Sequence, residues 1–88
     1  MKIEAEINKI YDEEKMKGIA TVKIDDCFVV RGIRILDGEK GLHLAMPSRP
    51  GKDGKHHDVA HPINEETRAL FNEVVLDAYY KKLEEEGN

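Results

Sequence analysis

Apolar and polar residues alternate in two stretches of the N-terminal part of the chain. Over residues 3–11 the apolar or aromatic side chains stand mostly at odd positions, and over residues 16–24 they stand at even positions. Between the two stretches, Asp12-Glu13-Glu14-Lys15 interrupts the pattern. Alternation with a period of two is typical of a strand with one buried face. We therefore predict two strands that form a β-hairpin.

The next stretch is apolar on both alternating faces. From Cys27 to Leu36 only Arg31 and Arg34 interrupt it. Such a run predicts a central strand that is covered on both faces, with Cys27 as a core residue. One helix covers only one face of a sheet, so the other face is either partly protected or covered by a second subunit.

The chain from residue 37 to residue 61 contains a short strand and a polar segment. After a glycine-containing turn, the range 42–46 predicts a fourth strand. Residues 47–58 are mostly polar and include two prolines and two glycines. Two interpretations stay open for them: a long functional loop, or a hairpin whose return strand is Lys55–Ala60.

A helix is predicted after Pro62. Asn64 suits the N-cap, and Glu65 and Glu66 would lie where the helix dipole favours anions. The apolar residues that follow at spacings of three and four are Leu70, Phe71, Val74, Val75, Ala78, Tyr79 and Leu83. We therefore predict one α+β domain over residues 1–88. An antiparallel sheet of about four to five strands (about 2–61) precedes one amphipathic helix (about 65–84) that packs on it.

Composition narrows the class of protein. The chain has 88 residues, 40% hydrophobic residues, no tryptophan and one cysteine. Its core is therefore small, and no disulfide framework exists. A lone cysteine favours a reducing compartment, and no stretch reads as a signal peptide or a membrane span. We expect a soluble, cytoplasmic protein that does not associate with membranes.

The charges are unevenly distributed along the chain. The formal net charge is −4, which argues against a general polyanion binder. Both ends are acidic, whereas residues 31–68 hold all four arginines, all four histidines and three lysines against six acids. Any anion-binding surface is therefore expected in residues 31–68.

No motif for catalysis or for a cofactor is present. The histidines are His43, His56, His57 and His61. On a strand, His57 and His61 would lie about 13 Å apart, too far to share a metal ion without other ligands. Ser48 stands between two prolines rather than on a nucleophile elbow, and no phosphate loop or GxGxxG motif occurs. We expect no enzyme activity, no metal and no cofactor.

Anion-compatible side chains do occur near the predicted loop and helix start. They are Arg49, Lys52, Lys55 and Arg68. Arginine can hold a phosphate with two hydrogen bonds, and a helix start adds N–H donors. Alternatively, Arg68 pairs with neighbours such as Glu65 or Asn72, and the lysines only keep a loop soluble. Composition does not separate these two interpretations.

The order of the motifs resembles the SpoVG family of bacterial septation and sporulation regulators. The motifs are Phe28-Val29-Val30, Ile33-Arg34-Ile35, Asp37-Gly38, Ala45-Met46-Pro47-Ser48-Arg49, Asp53-Gly54, His61-Pro62-Ile63-Asn64 and Thr67-Arg68. The resemblance extends from about residue 1 to about residue 83. It implies a sheet-plus-helix homodimer formed through sheet strands. It also implies site-selective binding of DNA, and in some members RNA, by a protein that influences septation and sporulation.

The resemblance also implies a binding surface. Carried over residue by residue, it comprises Ser48, Arg49, Thr67 and Arg68, with Lys52 and Lys55 as additions. Arg49 and Arg68 would contact phosphates. A different class of function remains open: a protein-interaction module of the division machinery, whose acidic ends and helix surface bind a basic partner.

Overall fold

The computed structural model describes residues 1–86, in which six strands precede one helix. The elements are β1 (Ile3–Ile10), β2 (Met16–Ile24), β3 (Phe28–Gly38), β4 (Gly41–Ala45), β5 (Ser48–Pro50), β6 (His56–Asp58) and α1 (Glu65–Glu86). The first four strands form an antiparallel sheet in the order β1-β2-β3-β4, and β5 pairs with β6. The predicted α+β class, with an antiparallel sheet and one C-terminal helix, is confirmed.

A tight turn at Asp25 and Asp26 joins β2 to β3 and lets the two strands pair as neighbours. Asp25 and Asp26 both adopt left-handed φ values, 50° and 57°. The N–H of Cys27 donates to the carbonyl of Ile24 at 3.1 Å. Two left-handed residues at the centre of this β-turn match the twist of antiparallel strands, and aspartate tolerates this conformation better than most residues.

The helix packs on one face of the sheet and closes the core. The buried apolar side chains are Ile7, Ala20, Val22, Ile33, Ile35, Met46, Phe71, Val75 and Tyr79. The three helical members recur every four residues, so they form one stripe along α1. Leu83, a predicted member of this stripe, is exposed. The helix therefore covers the sheet mainly through its first four turns.

The helix begins where the sequence predicts it. The Asn64 side-chain oxygen accepts a hydrogen bond from the N–H of Thr67 at 2.8 Å. This bond satisfies one of the four N–H groups that lack a partner at a helix start. The described helix extends to Glu86, two residues beyond the predicted end near residue 84. No helix within residues 1–86 is long and apolar enough to cross a lipid bilayer.

The face of β3 that points away from α1 is open. Val29 is 46% exposed there, and Arg31 and Arg34 are exposed as well. Within one chain the single helix covers only one face, as the sequence predicts, and the other face is only partly protected. Cys27 is exposed in the turn before β3, and its interpretation as a core residue is wrong.

A β-bulge interrupts the pairing of β3 with β2. β3 has two residues, Arg31 and Gly32, where β2 has only Thr21. Gly32 adopts a φ of 79°, which glycine reaches without the steric cost of a Cβ atom. Because of the extra residue, Val30 and Ile33 pack towards the same core although they are three positions apart.

Candidate functional site

Four of the six predicted site residues lie on a projecting hairpin. In its ladder Ser48 opposes Asp58 and Arg49 opposes His57. Within residues 1–86, neither strand of this hairpin has a Cα atom within 8 Å of another strand or of α1. The second interpretation of the polar segment, a hairpin, is therefore the one observed, with a shorter return strand than predicted.

The tip of the hairpin is ordered by an aspartate. Asp53 Oδ1 accepts a hydrogen bond from the N–H of Lys55 at 3.0 Å and lies 3.1 Å from His57 Nε2. The Lys55 N–H, and to a lesser degree His57, hold the pKa of Asp53 below its usual range. The carboxylate therefore remains charged and holds the turn, with Lys52 and Lys55 on either side of it.

The other two predicted residues, Thr67 and Arg68, lie in the first turn of α1. The Arg68 guanidinium donates to the carbonyl oxygen of Pro62 at 3.2 Å. His61 Nδ1 lies 2.9 Å from the same oxygen. Because a carbonyl oxygen only accepts hydrogen bonds, Nδ1 must carry the proton there and Nε2 of a neutral His61 is free to accept. Arg68 is thus held by a backbone carbonyl, not by Glu65 or Asn72.

The predicted residues form two groups in the structure. One group is Ser48, Arg49, Lys52 and Lys55 on the hairpin, and the other is Thr67 and Arg68 at the helix start. No hydrogen bond or ion pair between described residues joins the two groups.

The ion pairs made by lysines lie at the two ends of the described chain. Lys2, Lys23, Lys81 and Lys82 each pair with a carboxylate at 3.1–3.8 Å. In the part of the chain that the structure describes, none of the four arginines and three lysines of residues 31–68 forms an ion pair with a carboxylate. These cations are therefore free to meet an external anion.

Three of these cations, Arg31, Arg34 and Lys40, are not among the predicted site residues. Arg31 and Arg34 lie on the face of the sheet opposite α1, which we call the helix-free face. Its charged and neighbouring residues include Glu4, Glu6, Thr21, Lys23, Val29, Arg31 and Arg34. Sequence reasoning treated the two arginines as interruptions of a buried strand. Glycine next to an arginine within an apolar run is the signal of a bulge that could have identified them.

An apolar cleft of about 280 Å³ opens beside the helix start. Most of its lining is apolar, and it includes Met1, Phe28 and Ile63, which are exposed. Ile63 protrudes at the rim with 88% of its surface exposed. A surface of this kind suits an apolar side chain of another molecule.

Between residues 1 and 86, no three histidine, cysteine, aspartate or glutamate side chains come together in a way that could hold a metal ion. His57 is instead paired with Asp53, and His61 is bonded to a backbone carbonyl.

Comparison with known proteins gives a consistent result. The family model described as SpoVG matches residues 1–81. A protein of Lachnospira eligens that is named as a septation protein, SpoVG, is 49% identical over 75 residues, covering 85% of each chain. Proteins with the same name from Clostridium beijerinckii and Bdellovibrio bacteriovorus are 49% identical over 80 residues and 42% identical over 76 residues. Those matches cover 91% of this chain and 88% of the first relative, and 86% of this chain and 70% of the second.

Proposed function

Since the chain belongs to the SpoVG family, we propose that it is a regulatory protein that binds DNA, and also RNA, and acts on septation, sporulation or related gene expression. The observation that carries the proposal is the set of cations in residues 31–68, none of which pairs with a carboxylate of the described chain; Lys2, Lys23, Lys81 and Lys82 at the acidic ends do pair with carboxylates. The proposal includes that the protein is cytoplasmic, has no cofactor and catalyses no reaction.

The proposed contacts are electrostatic. Arg49 on the hairpin and Arg68 at the helix start contact phosphates, and Lys52 and Lys55 add charge at the hairpin tip. Ser48 and Thr67 contribute hydroxyl groups. Each phosphate contact displaces condensed counterions, so affinity falls as the salt concentration rises. This local charge explains how a chain with a net charge of −4 can bind a polyanion.

We expect Arg68→Ala to weaken binding to all sequences alike. Loss of one phosphate contact also reduces the slope of log affinity against log salt by about one. The measurement is fluorescence anisotropy of labelled duplex DNA and single-stranded RNA across a salt series. Lys81→Ala is the matched control, because that lysine pairs with Asp77 on the same helix. An Arg68→Ala protein that binds like wild type would remove Arg68 from the site.

The proposed protein is a homodimer that pairs through sheet strands. β1 and β4 are the edges of the four-stranded sheet. β1 has a bulge and four charged residues in or next to it, which discourage pairing with another strand. β4 contains no lysine, arginine, aspartate or glutamate. We therefore propose β4 as the dimer edge.

Antiparallel pairing of two β4 strands about their centre would bring the two copies of residue 43 together. We expect His43→Cys in a Cys27→Ser background to form a disulfide-linked dimer under mild oxidation. Lys9→Cys in the same background, on β1, is the control that should stay monomeric on a non-reducing gel. Cross-linking of the control alone would place the dimer contact on β1.

A second candidate function rests on the apolar cleft. In this alternative the chain is a protein-interaction module of the division machinery, and the cleft with its protruding Ile63 adds an apolar contact to the acidic ends. Recovery of a stoichiometric protein partner that resists nuclease treatment, together with no salt-dependent binding of DNA or RNA, would favour it.

A further inference from the structure

We propose that the helix-free face of the sheet is a second contact surface for the sugar-phosphate backbone, with Arg31 and Arg34 as its contact residues. The inference rests on the proposed nucleic-acid binding. It adds a surface that is separate from the hairpin and from the helix start.

The bulge in β3 is what places the two arginines together. In a regular strand, residues three apart point to opposite faces. Here Gly32 is an extra residue opposite Thr21, so the alternation shifts by one between Arg31 and Arg34. Both side chains consequently lie on the helix-free face, while Ile33 between them is fully buried on the other.

No carboxylate neutralises these arginines from an adjacent strand. Arg34 lies between Ile19 of β2 and Ala45 of β4. Arg31 lies opposite Thr21. Among the ion pairs of residues 1–86, none involves either arginine. Two exposed guanidinium groups in neighbouring rows of one face are suited to hold successive anionic groups.

The acids of this face lie towards the β1 edge. Glu4 is held by Lys2 and Lys23 at 3.2 Å and 3.1 Å. Glu6 aligns with Thr21 and is therefore two strands, about 10 Å, from Arg31. The face is thus negative at β1 and positive at β3. A bound strand of nucleic acid would lie over β3 and β4.

The bulge also lies beside the start of the hairpin. A Cβ atom at Gly32 would lie 3.9 Å from Cβ of Pro47, the residue that precedes β5. Arg31 and Arg49 are therefore on segments that meet near Pro47, and an extended polyanion can follow the sheet onto the hairpin.

The composition of the face favours this ligand over a second copy of the chain. Among the described residues, Val29 is the only large apolar side chain on the helix-free face that is strongly exposed. Glu4 is already paired with Lys2 and Lys23, so a second copy offers Glu6 as one carboxylate for two arginines, and burying the other guanidinium group without a partner would cost several kcal/mol. Contact with phosphates supplies the missing anions.

The test is the salt series repeated with Arg31→Gln/Arg34→Gln. We expect affinity to fall about ten-fold at low salt, and the salt slope to become less steep by about 1.8 because two phosphate contacts are lost. The matched control is Lys81→Gln/Lys82→Gln, which removes the same charge from lysines that pair within α1. Arg31→Lys/Arg34→Lys should restore the salt slope, since the charge is kept.

The outcomes separate this inference from the function it rests on. Suppose that the wild-type protein binds and that Arg68→Ala weakens binding, while the Arg31/Arg34 variant binds like wild type. Only the second contact surface is then wrong, and the proposed nucleic-acid binding stands. If wild type shows no salt-dependent binding to DNA or RNA, both are wrong. A monomeric mass for the Arg31/Arg34 variant beside a dimeric wild type would assign the face to subunit contact and overturn the inference.

Discussion

Replacement of Ile35 by alanine should lower the free energy of unfolding by about 2–5 kcal/mol. Ile35 is fully buried in β3. Its Cδ1 atom lies 3.5 Å from where a Cβ atom of Gly18 would be, and the Tyr79 ring lies 3.7 Å from the same point. The absence of a side chain at Gly18 lets strand and helix meet closely, so the alanine leaves a cavity that its neighbours cannot easily fill.

This loss is a large fraction of the total free energy of unfolding expected for the protein. A chain of 88 residues is typically stable by about 4–13 kcal/mol. Urea denaturation followed by circular dichroism at fixed protein concentration measures the change. Ile63→Ala makes the same chemical change at a side chain that is 88% exposed, and it should shift stability by less than about 0.5 kcal/mol. Equal losses for the two variants would contradict the assignment of Ile35 to the core.

Gly32→Val should destabilise the sheet through its backbone. The φ of 79° at this residue is sterically unfavourable for a β-branched side chain and costs roughly 1–3 kcal/mol. Space is not the cause, because the nearest atom to a Cβ there is 3.9 Å away. Relief of the strain would shift the register of β3 and move Arg31 relative to Arg34.

The measurement combines urea denaturation with the salt dependence of nucleic-acid binding. Gly32→Asn is the control, because asparagine tolerates the left-handed region better than valine. We expect the asparagine variant to keep more of both stability and salt slope. A valine variant as stable as the asparagine variant would show that the bulge does not need this conformation.

Much of the fold could be predicted from local patterns. Alternation identified β1 and β2, Asn64 identified the helix start, and apolar spacing identified the stripe that includes Phe71 and Tyr79. These signals depend on a few neighbouring residues, so they can be recognised in a single sequence.

What the sequence concealed depends on contacts between distant segments. The burial of β3 depends on how many layers cover the sheet, and the number of layers cannot be predicted from a local sequence pattern. Cys27 looked like part of an apolar run, but the two aspartates before it form a turn that leaves it exposed. The bulge at Gly32 reverses the alternation, so the faces of Arg31 and Arg34 could not be derived from their spacing.

The candidate site was predictable in residue type but not in arrangement. Free cations in residues 31–68 follow from composition. Their separation into hairpin and helix start does not, because it depends on where the turn at Asp53 and the contacts of Arg68 place them. The family resemblance supplied Arg49 and Arg68, whereas Arg31 and Arg34 needed the strand register.

The isolation of the β5–β6 hairpin has a consequence for how the protein moves. A two-stranded hairpin is marginally stable by itself in water, and no Cα atom of another described strand or of α1 lies within 8 Å of a Cα atom of β5 or β6. It can therefore open locally while the sheet and α1 remain folded, and its amide hydrogens should exchange faster than those of β2 and β3. A ligand that holds Arg49 must therefore also order the hairpin. The loss of conformational entropy offsets part of the interaction energy gained at the hairpin.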